Sequence, residues 1–345
     1  MELPGEKLII KLWETLAEKG VGSLLSPWQV KRDGRARIEV RREELLALAQ
    51  AETDAADIRA GQKRLAFDGS MRLLPASVSD TSSAEISPSD SIEPTLGLQS
   101  IATQSLLNDA VDASRKEINT SKAVIFAEEI LANDSQLPPD RAIDDDWLFT
   151  WRDYAARVSN EELQRLWGSV LAGEVKSPGN FSFRTLDFLR ALSKAEAEKV
   201  SQLARFVIEG RILRNQGQHL DKHGVTFTQL LEMQDLGVIS GVESIGLTTT
   251  YKSATPDKFC LVLRSNGKAL LVENEDAAKE LKLEIYLLTG VGTQLMGLGS
   301  FEPDIEYLRL VGKQILAQGF SVQLADWKQI SESKGYYSNA EKIDA

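Results

Sequence analysis

Apolar residues recur at helical spacing near the start of the chain. Leu8, Ile9, Leu12, Trp13 and Leu16 predict an amphipathic helix over 6–18, ending near Gly20 and Gly22. Ser26-Pro27 breaks the pattern. Ile38, Leu45, Leu48, Ala49, Ala55 and Ile58 then mark a long, charged, alanine-rich helix over 38–66. The period disappears in 68–100, where Ser, Pro and acidic residues dominate and large apolar residues are scarce. Such a segment buries too little surface to offset the entropy of ordering it, so it reads as a flexible linker.

Helical patterning returns at 101–215. One helix is predicted over 104–133. A second follows Asp144, Asp145 and Asp146, with Trp147, Leu148, Trp151, Ala155 and Val158 on its inner face. The three acids suit the positive end of a helix dipole. Ser159 with Glu162 reads as a capping box for the next helix, with Leu163, Leu166, Trp167, Val170 and Leu171 at three- and four-residue spacing. Ser177 to Asn180 (SPGN) is a turn, and Leu186, Leu189 and Leu192 mark a short helix. Ser193 with Glu196 caps the last helix of this block, through Val200, Leu203, Ala204 and Val207.

The period then changes. A helix at 226–236 ends at Gly237. Extended runs follow at 247–251, 259–263, 269–272 and 283–288. Helices are predicted near 291–298 and 304–318, then a last strand at 320–324. The fold class is therefore mostly α with a C-terminal α+β domain: a helical bundle plus a winged-helix-like module. The winged-helix likeness rests on two passages. Leu236-Gly237-Val238-Ile239 resembles the turn that leaves a recognition helix. Tyr286 to Gly290, leading to Leu295, resembles the strand-to-helix step. The domain reading is 1–67 N-terminal helices, 68–100 linker, 101–217 helical domain, 218–330 α+β domain and 331–345 a polar, frayed tail.

Composition narrows the chemistry. The 345 residues include one cysteine and two histidines, so a disulfide scaffold, a multi-cysteine metal site and most histidine-relay chemistries are excluded. A net charge of −11 argues against a uniformly basic nucleic-acid protein. The opening residues lack the apolar core of a secretory signal, and no apolar run reaches the ~18–20 residues of a membrane span. With the lone Cys260, this predicts a cytoplasmic protein, with peripheral attachment to the inner membrane as a variant.

Two passages resemble an uncharacterised bacterial domain family that is itself similar to the abortive-infection Abi-alpha group. They are residues 4–37 and 146–200, and the shared pattern lies around Leu166, Trp167, Leu171, Ala172 and Glu174. It continues through Phe181-Ser182 and Leu192-Ser193 with Ala195 or Ala197. The likeness to Abi-alpha covers only the helical block. The resemblance implies anti-phage defence and brings no catalytic residue with it.

Each motif that could carry chemistry has a structural reading. His219 and His223 lie four apart, the spacing of two ligands on a helix, but Gly217 and Gly224 flank them and the segment reads as a surface loop. Asp257, Glu280 and Lys282 match a metal-dependent nuclease pattern loosely. The triple aspartate splays around a helix start and cannot converge on one ion. No phosphate-cradling glycine motif and no nucleophile elbow is present, and Cys260 reads as a buried strand residue. The helix over 226–236 has no Lys or Arg, so the winged-helix-like module is expected to bind something other than DNA. No catalytic residue, metal or cofactor is predicted.

One binding feature stands out. Lys31, Arg32, Arg35, Arg37, Arg41 and Arg42 face only Asp33 and Glu39 in a twelve-residue span. They either dock on an anionic surface, membrane or nucleic acid, or pair with the chain's own acids. The sequence thus predicts a non-enzymatic protein that binds a protein partner or itself, in anti-phage defence. A nucleic-acid-associated protein (winged-helix binder or metal-dependent nuclease) and a peripheral membrane protein held by residues 6–42 are the alternatives.

Overall fold

The computed structural model describes residues 5–21, 50–51, 53–54, 57, 63–65, 71–73, 98–134, 136–331 and 334–344. The basic cluster from Lys31 to Arg42 lies outside these residues, as do most of the helix predicted at 38–66 and most of the 68–100 linker. Within the first segment the described residues 50–51, 53–54 and 57 are helical, as expected, but two short strands depart from the reading. Lys63–Leu65 (β1) pairs antiparallel with Met71–Leu73 (β2), with Arg64 opposite Arg72. Gly61 interrupts the helical pattern after Ile58, and Asp68-Gly69 is a hairpin signal in the sequence. The chain divides into two compact units, Met1–Phe181 and Ser182–Ala345.

The first unit is built on helices. Glu6–Glu18 (α1) buries Leu8, Ile9, Leu12, Trp13 and Leu16, the face read from the sequence. It packs on Leu98–Ala132 (α2) and Glu161–Lys176 (α4). Asp145–Ala155 (α3) starts on Asp144, whose side chain accepts from the Trp147 amide. Its indoles fasten the unit together. Trp147 Nε1 donates to the Phe181 carbonyl at 2.6 Å, and Trp151 Nε1 to the Trp167 carbonyl at 2.9 Å.

The cap of α4 is Asn160, which accepts from Leu163 N, so the capping box predicted at Ser159 is off by one residue. A buried amide pair holds the preceding turn. Asn119 Nδ2 donates to the Ala156 carbonyl at 2.8 Å, and Gln164 Nε2 donates to Val158 O and to Asn119 Oδ1. With 156–158 fixed this way, Asn160 is the residue in place to cap.

Helices α2 and α4 approach most closely at Gly168. A Cβ there would lie 2.7 Å from Phe126 Cβ and 2.8 Å from the Ala123 carbonyl oxygen. Gly168→Ala is therefore expected to destabilise the unit by about 1–3 kcal/mol, despite alanine's better helix propensity. The readout is the urea midpoint. A midpoint at or above the wild-type value would refute the close approach.

The second unit is mixed α/β. It opens with Phe183–Ala191 (α5) and Lys194–Ala204 (α6), the latter on the predicted Ser193–Glu196 capping box with both reciprocal bonds formed. Arg211–Leu213 (β3), Gly217–Lys222 (α7), Phe227–Asp235 (α8), Ile239–Ser240 (β4) and Leu247–Tyr251 (β5) follow. Then come Phe259–Ser265 (β6), Lys268–Asn274 (β7), Leu281–Leu288 (β8), Gly290–Met296 (α9) and Ile305–Leu316 (α10). Ser321–Ser331 (β9) and Lys334–Lys342 (β10) close the chain.

Two antiparallel sheets result. One runs β3-β8-β4, with β5 pairing further along β8, and the other runs β10-β9-β7-β6. Among the described residues, no helix is long and apolar enough to cross a membrane.

Three expectations fail here. Phe320–Leu324 is not the last strand, and the final residues are not frayed, because β10 pairs along β9. An edge strand needs only backbone pairing, which its polar side chains do not oppose. Ile343 adds an anchor: it is buried, and its Cδ1 lies 2.3 Å from where a Cβ on Gly312 of α10 would stand. The segment at 217–222, expected as a surface loop, is helical, and His219 within it is buried.

Candidate functional site

Helix α7 is short, and its ends explain why it is easily misread. Gly217 is its first residue rather than a breaker. Gly224, at φ +84°, stops it in the left-handed conformation that glycine adopts without strain. His219 lies inside the helix and His223 just beyond its last residue, four apart and on one face. Their ring centroids are 4.3 Å apart.

Asp304 stands opposite. It is the N-cap of α10, and its Oδ1 accepts from Tyr307 N at 2.9 Å. The same oxygen lies 3.1 Å from His219 Nε2, and Asp304 Oδ2 lies 3.7 Å from His223 Nε2. The side chains of His219 and Asp304 are 6% and 7% exposed, and that of His223 is 27% exposed. Arg205 reaches in from the rim, with NH2 3.4 Å from Asp304 Oδ2.

Aromatic rings wall the cluster. Phe206 stands edge-on to Tyr307 at 5.3 Å and lies about 6 Å from both imidazoles. The fully buried Tyr307 hydroxyl accepts from Leu213 N at 2.8 Å, which ties α10 to β3. Burial pushes that phenol's pKa up. Burial also pushes the Asp304 carboxyl up, but the Tyr307 amide, the His219 hydrogen bond and the two imidazoles outweigh it. The group is held below its ordinary value of 3.8.

A groove of about 680 Å³ forms a second feature of this unit. Its walls include Phe183, Arg184 and Phe188 on α5, Leu236 after α8, and Thr289 and Gln294 at α9. Gln294 Oε1 latches the helices by accepting from Ser182 N, Ser182 Oγ and Thr185 Oγ1.

The other residues singled out in the sequence do not assemble into a site. Asp257 is exposed in a bend, and Glu280 is exposed before β8, where Lys252 and Lys282 lie 3.8 Å from it. Cys260 is on β6 as predicted and is half-buried rather than buried. Sequence reasoning noticed the histidine pair but missed Asp304. The only local signal was Asp304 as a helix cap after Pro303, which says nothing about a partner 85 residues away.

Residues 109–312 match the family described as Protein of unknown function (DUF2806), well over half of the chain. No curated protein and no solved structure matches.

Proposed function

The chain belongs to the DUF2806 family of proteins of unknown function, and from that premise we propose that it is a non-enzymatic protein that binds another protein through a winged-helix-like module in its C-terminal unit. The order of elements supports the module. Helix α6, strand β3, helices α7 and α8, the interrupted strand β4–β5 and, after the β6–β7 hairpin, strand β8 come in that order, with β8 between β3 and β4. The β6–β7 hairpin is then an enlarged wing that pairs into the second sheet.

The observation that carries the choice of partner is the surface of α8, the helix a DNA-binding relative would insert in the major groove. Its exposed residues are Phe227, Thr228, Glu232 and Asp235, with Thr226 at the cap. The helix itself offers an aromatic ring and two carboxylates to a partner, Glu232 being paired with Lys199 of α6, and carries no cation of its own for a phosphate. The half-exposed Phe227 is the kind of anchor a protein interface uses.

The proposal places the protein in bacterial anti-phage defence, a reading that rests on the resemblance of the helical block to the Abi-alpha group. Two measurements test it. A strain carrying the gene is expected to plate phage less efficiently than the same strain without it. Phe227→Asp is expected to remove the protection while leaving the circular dichroism spectrum unchanged; equal plating by the two strains overturns the defence role. Duplex DNA at low ionic strength is expected to form no complex through this module. A complex that weakens steeply with salt and is lost on substitution within α8 would replace the protein partner with nucleic acid.

A further inference from the structure

Among the described residues, His219, His223 and Asp304 form a group whose ligand atoms all lie within 4.8 Å of one another. The hydrogen bonding of the cluster leaves it one proton or one cation short. His223 Nδ1 lies 2.9 Å from the His219 carbonyl oxygen, which can only accept, so Nδ1 carries a hydrogen. In the neutral ring Nε2 is then a bare lone pair, and it faces the Asp304 carboxylate at 3.7 Å. Two acceptors face each other across a gap walled by Phe206 and Tyr307. Such a pairing repels unless a positive charge stands between its members. An imidazole whose second nitrogen donates to a backbone carbonyl is also the arrangement that orients a metal ligand.

The spacing fits. Donors about 2.0–2.1 Å from a tetrahedral ion lie about 3.3 Å from each other. The two observed nitrogen–oxygen separations, 3.1 and 3.7 Å, bracket that value, and the two imidazole donors lie within 4.8 Å of each other, near enough for a small rotation of the partly exposed His223 ring to close the triangle. The donors are also held in place: Asp304 by its cap on Tyr307 N, His219 by burial in α7, and His223 by its bond to the His219 carbonyl. His223, whose side chain is partly exposed, puts one ligand at the rim, where an ion can enter from solvent. Arg205 competes for Asp304 but is half-exposed, so an entering dication can displace its guanidinium into solvent.

We propose that His219 Nε2, His223 Nε2 and the Asp304 carboxylate bind one divalent transition-metal ion of the Zn²⁺ class, which clamps α7 to the start of α10. Two imidazoles and one carboxylate suit Zn²⁺ or Co²⁺ and disfavour Mg²⁺ and Ca²⁺, which take oxygen ligands.

The test uses the full chain, stripped with a chelator and dialysed. Co²⁺ is expected to bind at one equivalent with the visible d–d absorption of a tetrahedral site, and Zn²⁺ to bleach it. Zn²⁺ at a hundredfold excess over its Kd is expected to raise the thermal midpoint by about 5 °C. His223→Ala and Asp304→Asn are each expected to weaken Co²⁺ binding by at least about 100-fold. Asparagine keeps the helix cap, and His223 lies on the rim, so at least one of the two variants keeps the fold. Absence of a saturable Co²⁺ spectrum overturns the proposal. So does wild-type binding in whichever of the two variants is folded.

Discussion

Trp151→Ala is expected to lower the stability of the N-terminal unit by about 3–5 kcal/mol, the range for deleting a large buried aromatic side chain. Trp151 is fully buried. It lies on α3, and its indole reaches the carbonyl of Trp167 inside α4, so one side chain both fills the space between the helices and ties them. The alanine variant loses the packing and leaves the opened space without partner atoms. Trp151→Phe separates the two roles. It keeps most of the ring and loses the hydrogen bond, and should cost about 1–2 kcal/mol. The measurement is the urea midpoint at unchanged slope. Equal losses for the two variants would mean that the hydrogen bond, not the volume, holds the helices.

Glu174 should show the second large effect, and it brings a pH dependence. Its carboxylate is buried on α4 and accepts from Gly179 N and Phe181 N, closing the turn that follows the helix. Glu174→Ala leaves those two donors without acceptors, which is expected to cost about 3 kcal/mol at ~1–3 per orphaned group. Glu174→Gln retains an oxygen for one of them and should cost far less.

Burial pushes the pKa of Glu174 above its ordinary value of 4.5. The amides of Gly179, Phe181 and Asn180 and the charge of Arg141 offset only part of that rise. A carboxyl raised in the folded state binds its proton more tightly there than when unfolded. Its contribution to stability is complete below pH 4.5 and is lost as pH rises through the folded value. The wild type should therefore gain stability relative to Glu174→Gln between neutral pH and pH 4.5. Parallel pH profiles for the two proteins would show that the carboxyl titrates normally.

Helix by helix, much of the first unit is legible in the chain. Leu8, Ile9, Leu12, Trp13 and Leu16 share a face in the sequence and share a core in the structure. Asp144 sits where such a residue satisfies a free amide, and it does so; in the second unit the Ser193–Glu196 box does the same. The misreadings have local causes. Ser159 and Asn160 are both good caps, and the choice fell to a buried amide pair, Asn119 of α2 with Gln164 of α4. Gly217 and Gly224 looked like the ends of a loop because a six-residue helix offers less than two turns of periodicity. The C-terminal strand had no apolar run because it is held at a sheet edge by its backbone.

Glu174 and Phe181 entered the sequence reading only as part of a resemblance; the structure joins them across a turn, where the Glu174 carboxylate accepts from Phe181 N and Gly179 N. The histidines carried the spacing of a ligand pair in plain view. Asp304 did not join them until α10 was laid across α7.

By itself, then, the sequence determined the helical faces, several caps, the change of period after residue 225 and the scarcity of reactive side chains. These are properties of residues within a few positions of one another, and local sterics and hydrogen bonding enforce them. Only the tertiary structure decided which polar groups became buried, how the strands ordered around β8, and that two histidines and a distant aspartate meet. Those outcomes depend on how whole elements pack, and packing brings together residues whose separation along the chain carries no trace of their nearness in space.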